Sequence, residues 1–288
     1  MVNNGNVFKT LQKHYDIVEN LGYNIIGVFL YGSQNYKLDY DESDIDSKAI
    51  IIPSLHDIVL GKKLISTTIT TDKNEQIDLK DIRIMFDNLK KQNINYIETL
   101  FTEYKILNKD FSDIINPLFE NNELIARYDE KKALNCMAGM VLEKYKALEY
   151  PYPTTKEKIE KYGYDGKQLH HIIRIAQFMT KYINGEKYSD CLIADNRENL
   201  ISIKRDNNIP LGDARILAKN MSESVYLMKN DYLNNTECTI NTEVDDLLEN
   251  IVLNVFEKHF FEEMNRTHGG GKKWEKKKIN VILQIGNC

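Results

Sequence analysis

The chain has 288 residues, a formal net charge of −5, 42% hydrophobic and 28% charged residues, which excludes a fibrous or disordered chain and fits a globular protein of about two domains. The mild acidity argues against coating nucleic acid over the whole surface but leaves room for a local basic patch. No apolar run approaches the roughly 20 residues needed to cross a bilayer. The first ten residues, MVNNGNVFKT, lack a signal peptide's apolar stretch. Cys136, Cys191, Cys238 and Cys288 form no CxxC pair, so neither a zinc cage nor a disulfide framework is expected, and the thiols read as reduced in a cytoplasmic protein without membrane attachment.

Residues 8–21 carry helical spacing, with Phe8, Leu11, Tyr15 and Val18 on one side, and Gly22 stops the helix. Residues 25–31 are a compact β-branched run, read as a buried strand ending in a Gly32-Ser33 turn. A second strand is predicted over 43–52. Residues 64–71 and 75–80 flank Asp72-Lys73-Asn74, the pattern of a hairpin. From 81 to 92 the period lengthens, with Ile82, Met85, Phe86 and Leu89 on one face and Asp81 as N-cap. Beyond about residue 110 strand signals fade, and 129–149, 165–183, 212–233 and 242–264 read as helices. The expected organisation is an α+β domain over 1–110, a mainly helical domain over 111–267, and a tail over 268–288. In that tail Lys272, Lys273 and Lys276 to Lys278 surround Trp274. A solvated end is preferred there to a phosphate-contacting one.

Residues two apart on a strand share a face, so Asp44 and Asp46 point the same way while Ile45 points into the core. Two like charges so placed repel unless a cation neutralises them. Asp78 sits between Ile77 and Leu79 in an apolar–Asp–apolar setting. Gly32 permits a tight turn, and Ser33 offers a hydroxyl and an N–H at a possible helix start, a place that binds phosphate. Three carboxylates on neighbouring strands beside such a turn suit Mg²⁺ (or Mn²⁺) with an NTP, since these hard ions take carboxylates plus substrate phosphates, and two can clamp an in-line displacement. Asp39 and Asp41 are read as solvated loop acids.

The ordered set Gly32-Ser33, Asp44-x-Asp46 and Asp78 resembles the signature of DNA polymerase β-like nucleotidyltransferases. The resemblance implies a polymerase β-like domain, a triphosphate on the Gly-Ser turn, both metals on Asp44 and Asp46, and Asp78 on the metal that helps activate the acceptor hydroxyl.

Farther on, Tyr162-Gly163-Tyr164-Asp165 opens a helix on which Lys167, His171 and Arg174 fall at i, i+4 and i+7, three nitrogen donors suited to a polyphosphate. With Asn93 to Leu100 upstream, this segment is similar to a family of nucleotidyltransferases associated with RNA ligation and repair. That resemblance reaches about residue 185. It implies transfer of a nucleoside monophosphate from an NTP such as ATP to a hydroxyl, with an RNA end (tRNA or a broken strand) favoured as acceptor over a protein or a small molecule. Glu98 and His170 are read as structural. A second reading stays open, a non-catalytic nucleotide- or RNA-binding protein using the same pocket as a sensor or inhibitor.

Overall fold

The computed structural model describes residues 4–40 and 43–267. The predicted tail and Asp41 lie outside those residues. The elements, in chain order, are α1 (Asn4–Asn20), β1 (Asn24–Leu30), β2 (Ser47–Ile52), α2 (Leu55–Val59), β3 (Ser66–Thr70), β4 (Gln76–Asp81), α3 (Ile82–Lys90), α4 (Ile94–Ile97) with a 3₁₀ turn over Glu98–Leu100, and β5 (Lys105–Leu107). Helices follow: α5 (Ser112–Glu120), α6 (Asn122–Ala126), α7 (Glu130–Ala147), α8 (Lys156–Tyr162), α9 (Gly166–Ile183), α10 (Tyr188–Leu192), α11 (Arg197–Asp206), α12 (Leu211–Asn235) and α13 (Thr242–Thr267).

This is an α+β protein. The five strands form one mixed sheet in the order β3-β4-β2-β1-β5, with β2 and β4 parallel and the other pairs antiparallel. β1 and β2 are central and buried along nearly their whole length, which explains their continuous apolar runs. Strand alternation divides the side chains between two layers. Ala49 and Ile51 of β2, with Ile77 and Leu79 of β4, pack under α1 against Leu11 and Val18. Ile50 and Ile52 pack on the opposite face, in a core that continues without a break through α3, α7, α9, α12 and α13. The hydrophobic core therefore crosses residue 110.

α3 forms as its period predicts. Asp81 accepts a hydrogen bond from the Arg83 N–H as N-cap, and Ile82, Met85, Phe86 and Leu89 are buried. α9 is the hub of the helical part and packs on α7, α10, α11 and α12. Its Leu169, Ile172, Ile175, Phe178 and Met179 are buried, each stabilising by about 1.5–3 kcal/mol. Two expectations need correction. The second strand begins at Ser47 rather than at residue 43. The turn after β1 is not a helix start: Ser33 to Leu38 is a run of tight turns in which Leu38 N–H donates to the Ser33 carbonyl at 2.8 Å. Among the described residues no helix is long and apolar enough to cross a membrane.

Candidate functional site

The site forms where β1 ends and β2 begins. Gly32 leaves β1 with φ +92° and open space where a Cβ would stand, a conformation side chains other than glycine's resist. The chain then turns back. Asn35 donates to the Leu30 carbonyl at 3.1 Å, Gln34 donates to the Asp44 carbonyl at 2.8 Å, and Tyr31 N–H donates to the Asp46 carbonyl at 3.4 Å. These bonds tie the Gly32-Ser33 turn to the strand approach that carries Asp44 and Asp46.

Along that approach Asp44 is exposed, Ile45 buried and Asp46 half-buried. The alternation expected of a strand therefore survives where no ladder is formed. Asp46 accepts from the Gln76 backbone N–H at 2.9 Å. Burial pushes its carboxyl above the usual range, with Asp44 adding to the rise, while the Gln76 N–H, Lys167 and Lys204 oppose it. Two carboxylates close enough to disturb each other, one of them desolvated, form a hard anionic pair that a divalent cation would relieve.

Asp78 is placed differently. Strand register sets it beside Lys48, and both of its oxygens are in use: Oδ2 with Lys48 Nζ at 2.7 Å, Oδ1 with Lys80 Nζ at 2.7 Å. Burial works to raise its pKa, but the two lysines outweigh burial and hold it below the ordinary value. Lys48 is buried between two rings, 4.7 Å from the centroid of Tyr31 and 4.4 Å from that of Tyr96. Burial and then Asp78 push the Tyr96 hydroxyl up to about 12. Among the described residues no group of three or more His, Cys, Asp or Glu side chains is arranged to hold a metal. The donors fit a divalent cation at Asp44 and Asp46. They do not fit one at Asp78 while its lysines remain in place.

The helix face predicted to carry three nitrogen donors runs from solvent into the core. Lys167, exposed, lies close enough to Asp46 for its charge to register there. His171 is half-buried and set edge-on to His170 with centroids 5.3 Å apart, and burial followed by the charge of Arg174 keeps it neutral. Arg174 is fully buried, its guanidinium 3.9 Å from the centroid of the Tyr36 ring. Arg174 thus supports the Gly32–Leu38 turn from beneath. His170 is structural, as expected: it is buried, its Nδ1 lies 2.9 Å from the Leu200 carbonyl, and burial lowers its pKa to about 4.

Glu98 completes this buried layer. Burial raises its carboxyl to about 7, against the pull of the nearby Tyr36 hydroxyl, Arg174, Lys48 and the Gly32 N–H. Its two oxygens, like Nε and Nη1 of Arg174, have no partner of full hydrogen-bond geometry among the described residues.

Five contributors escaped the sequence reading. Lys204 of α11 stands half-buried near Lys167, Asp44 and Asp46, and burial, then Lys167, lowers its pKa. Gly166 lets α9 and α11 meet, because a Cβ there would collide with the Ile203 carbonyl and the Asn207 side chain. Lys48 and Lys80 had a usable signal, since Asp46-x-Lys48 and Asp78-x-Lys80 place each lysine on the face of its aspartate. His14, which has no ligand-like spacing, is buried against Ser47 Oγ at 2.9 Å and Glu75 at 3.5 Å, and so anchors the start of β2 to α1. A groove of about 520 Å³ borders the same turn, lined in part by Gln34, Asn35, Lys37, Tyr104 and Arg197.

No family model matches this chain, and no curated protein does. Among solved structures, the chain is similar to a nucleotidyltransferase-like protein from Exiguobacterium sibiricum 255-15, with 12% identity over 78% of each chain and a TM-score of 0.30. A likeness this distant transfers no residue role to the present chain.

Proposed function

We propose that this chain is a metal-dependent nucleotidyltransferase of the polymerase β-like superfamily, moving a nucleoside monophosphate from an NTP to a hydroxyl. The observation that carries the reading is the meeting of an anionic pair, Asp44 and Asp46, with two cations, Lys167 and Lys204, beside a tied-down Gly32-Ser33 turn. Opposite charges set side by side suit a ligand that is itself a cation bound to a polyanion, as Mg²⁺·NTP is.

A Mg²⁺ or Mn²⁺ ion on Asp44 and Asp46 would neutralise triphosphate charge and make the α-phosphorus more electrophilic. The residues of the chain supply orientation. Lys167 and Lys204 attract the phosphates, and the Gly32-Ser33 backbone, free of a Cβ at Gly32, lets them approach. The acceptor oxygen then bonds to the α-phosphorus as the bond to pyrophosphate breaks, and the hydroxyl proton passes to solvent. The groove beside the turn offers the acceptor room, and an RNA end is the acceptor we favour.

The test is incubation with each labelled NTP, Mg²⁺ or Mn²⁺, and RNA, protein and small-molecule pools in turn. Label in one pool, lost in Asp46→Asn, supports the transferase. Tight NTP binding with no label in any pool sinks it. That outcome favours a nucleotide-binding sensor, a reading supported by the lysine pairing of Asp78, which leaves the third carboxylate occupied.

A further inference from the structure

We propose that the site works with a single divalent cation, carried by Asp44 and Asp46, and that the Lys48–Asp78–Lys80 triad supplies fixed positive charge where a second cation would otherwise stand. The inference rests on the nucleotidyltransferase reading and narrows it.

The argument begins with strand parity. Asp46, Lys48, Asp78 and Lys80 belong to neighbouring parallel segments, with Lys48 paired in register to Asp78. Alternation sends all four toward the sheet face opposite α1, since Ile77, Leu79, Ala49 and Ile51 fill the α1 side. Two aspartates and two lysines therefore share one small surface. The lysines are not distributed evenly between the two acids. Both close on Asp78, one on each oxygen, at 2.7 Å. Asp46 takes instead a backbone N–H from Gln76.

Charge decides what each place can hold. Two ammonium groups around one carboxylate leave the triad a net charge of about +1. A second divalent ion would meet that positive charge and would have to displace at least one lysine. Lys48 cannot leave easily. It is buried, clamped between the Tyr31 and Tyr96 rings, and its removal would leave half-buried Asp78 with Lys80 alone. Stranding a fully buried charge costs about 3–5 kcal/mol, an upper bound for this half-buried site. Lys80 is also held, by the Ser66 hydroxyl at 2.8 Å. Asp44 and Asp46 have no comparable ion pair among the described residues. A fixed ammonium group can stabilise developing negative charge as a bound ion does, without a binding equilibrium of its own.

The experiment counts ions. Full-length protein in excess over a non-hydrolysable NTP is titrated with Mn²⁺, and bound ions are counted by electron paramagnetic resonance. The expected result is one Mn²⁺ per nucleotide complex, abolished in Asp46→Asn and retained in Asp78→Asn. Losing a ligand or its supporting partner costs about 10–100-fold in metal affinity, so a loss of about tenfold or more in Asp78→Asn overturns the proposal, as do two ions in the wild type. Lys80→Met leaves Lys48 in place and guards against a variant that does not fold. A second ion appearing only in this variant supports the proposal. Wild type that binds two ions and labels an acceptor sinks this inference and leaves the transferase standing. One ion with no labelled acceptor does the reverse.

Discussion

Two aspartate settings on one sheet face carry the same residue type to opposite ends. Asp78 is neutralised by the protein itself, with a lysine on each oxygen. Asp44 and Asp46 sit two residues apart, close enough for the charge of one to raise the pKa of the other, and the nearest opposite charges, Lys167 and Lys204, belong to remote helices. On the proposed reading, the acid that lysines already neutralise needs nothing more, and the pair without such partners is where the cation would sit. Sequence pattern alone does not separate the two settings, because Asp46 and Asp78 each follow an isoleucine.

The comparison can be broken most decisively at Asp46. Asp46→Asn removes the more buried member of the pair, and on the proposed reading transfer should fall by about 100- to 1000-fold, the scale of losing one preorganised charge-stabilising group. Labelled product per unit time measures it, and activity within about tenfold of wild type would place the chemistry elsewhere.

The completed setting is tested at Lys48. Lys48→Met should destabilise the fold, by less than the roughly 3–5 kcal/mol of a fully stranded buried charge, because Lys80 still pairs with Asp78. The double variant with Asp78→Asn should recover a large part of that loss, and urea denaturation of all four proteins gives the coupling. Additive losses would mean that the pair contributes nothing beyond packing.

Glu98 sharpens the comparison through pH. Its carboxyl titrates at about 7 in the fold and near 4.3 when unfolded. A raised carboxylate favours the fold while protonated. That contribution is fully present below the unfolded value and is lost as pH rises through about 7. Glu98→Gln, neutral throughout, should match wild type near pH 4 and exceed it above pH 7, by an amount on the order of 3 kcal/mol. Equal stability at both ends of that window would mean that Glu98 stays charged in the fold.

The smallest effect belongs to Lys204. Lys204→Met should weaken NTP binding by roughly tenfold, the low end of a charge-assisted contact, while leaving Mn²⁺ binding in place. Calorimetry with NTP and with Mn²⁺ alone separates the two.

Much of the fold was readable because periodicity was strong. α3 follows from Ile82, Met85, Phe86 and Leu89 with an Asp81 cap, and the β3–β4 hairpin from its Asp72-Lys73-Asn74 loop. β5, three residues long, is too short to show a period. α11 was missed for a different reason. Only Leu200 and Ile203 are buried, and both ends carry asparagine in the left-handed region, so the segment reads as loop. Lys204 disappeared with it. The shared face of Asp44 and Asp46 and the turn at Gly32 were legible because local geometry determines both. The fate of Asp78 was not, since it depends on a lysine brought alongside by parallel strand pairing across thirty residues. The predicted stripe of Lys167, His171 and Arg174 shares one helix face, but spacing along a helix says nothing of how deep each turn is buried.

Gly166 has a consequence for the order of assembly. By bringing α11 against the start of α9 it sets Lys204 near Lys167, so the last cation of the site comes from a segment about 160 residues after Asp46. During synthesis the acids and the turn exist long before their cations emerge. On the proposed reading, affinity for a polyanion should switch on late, once α9 and α11 dock. On the same reading, a stalled chain ending before α11 should therefore bind nucleotide poorly.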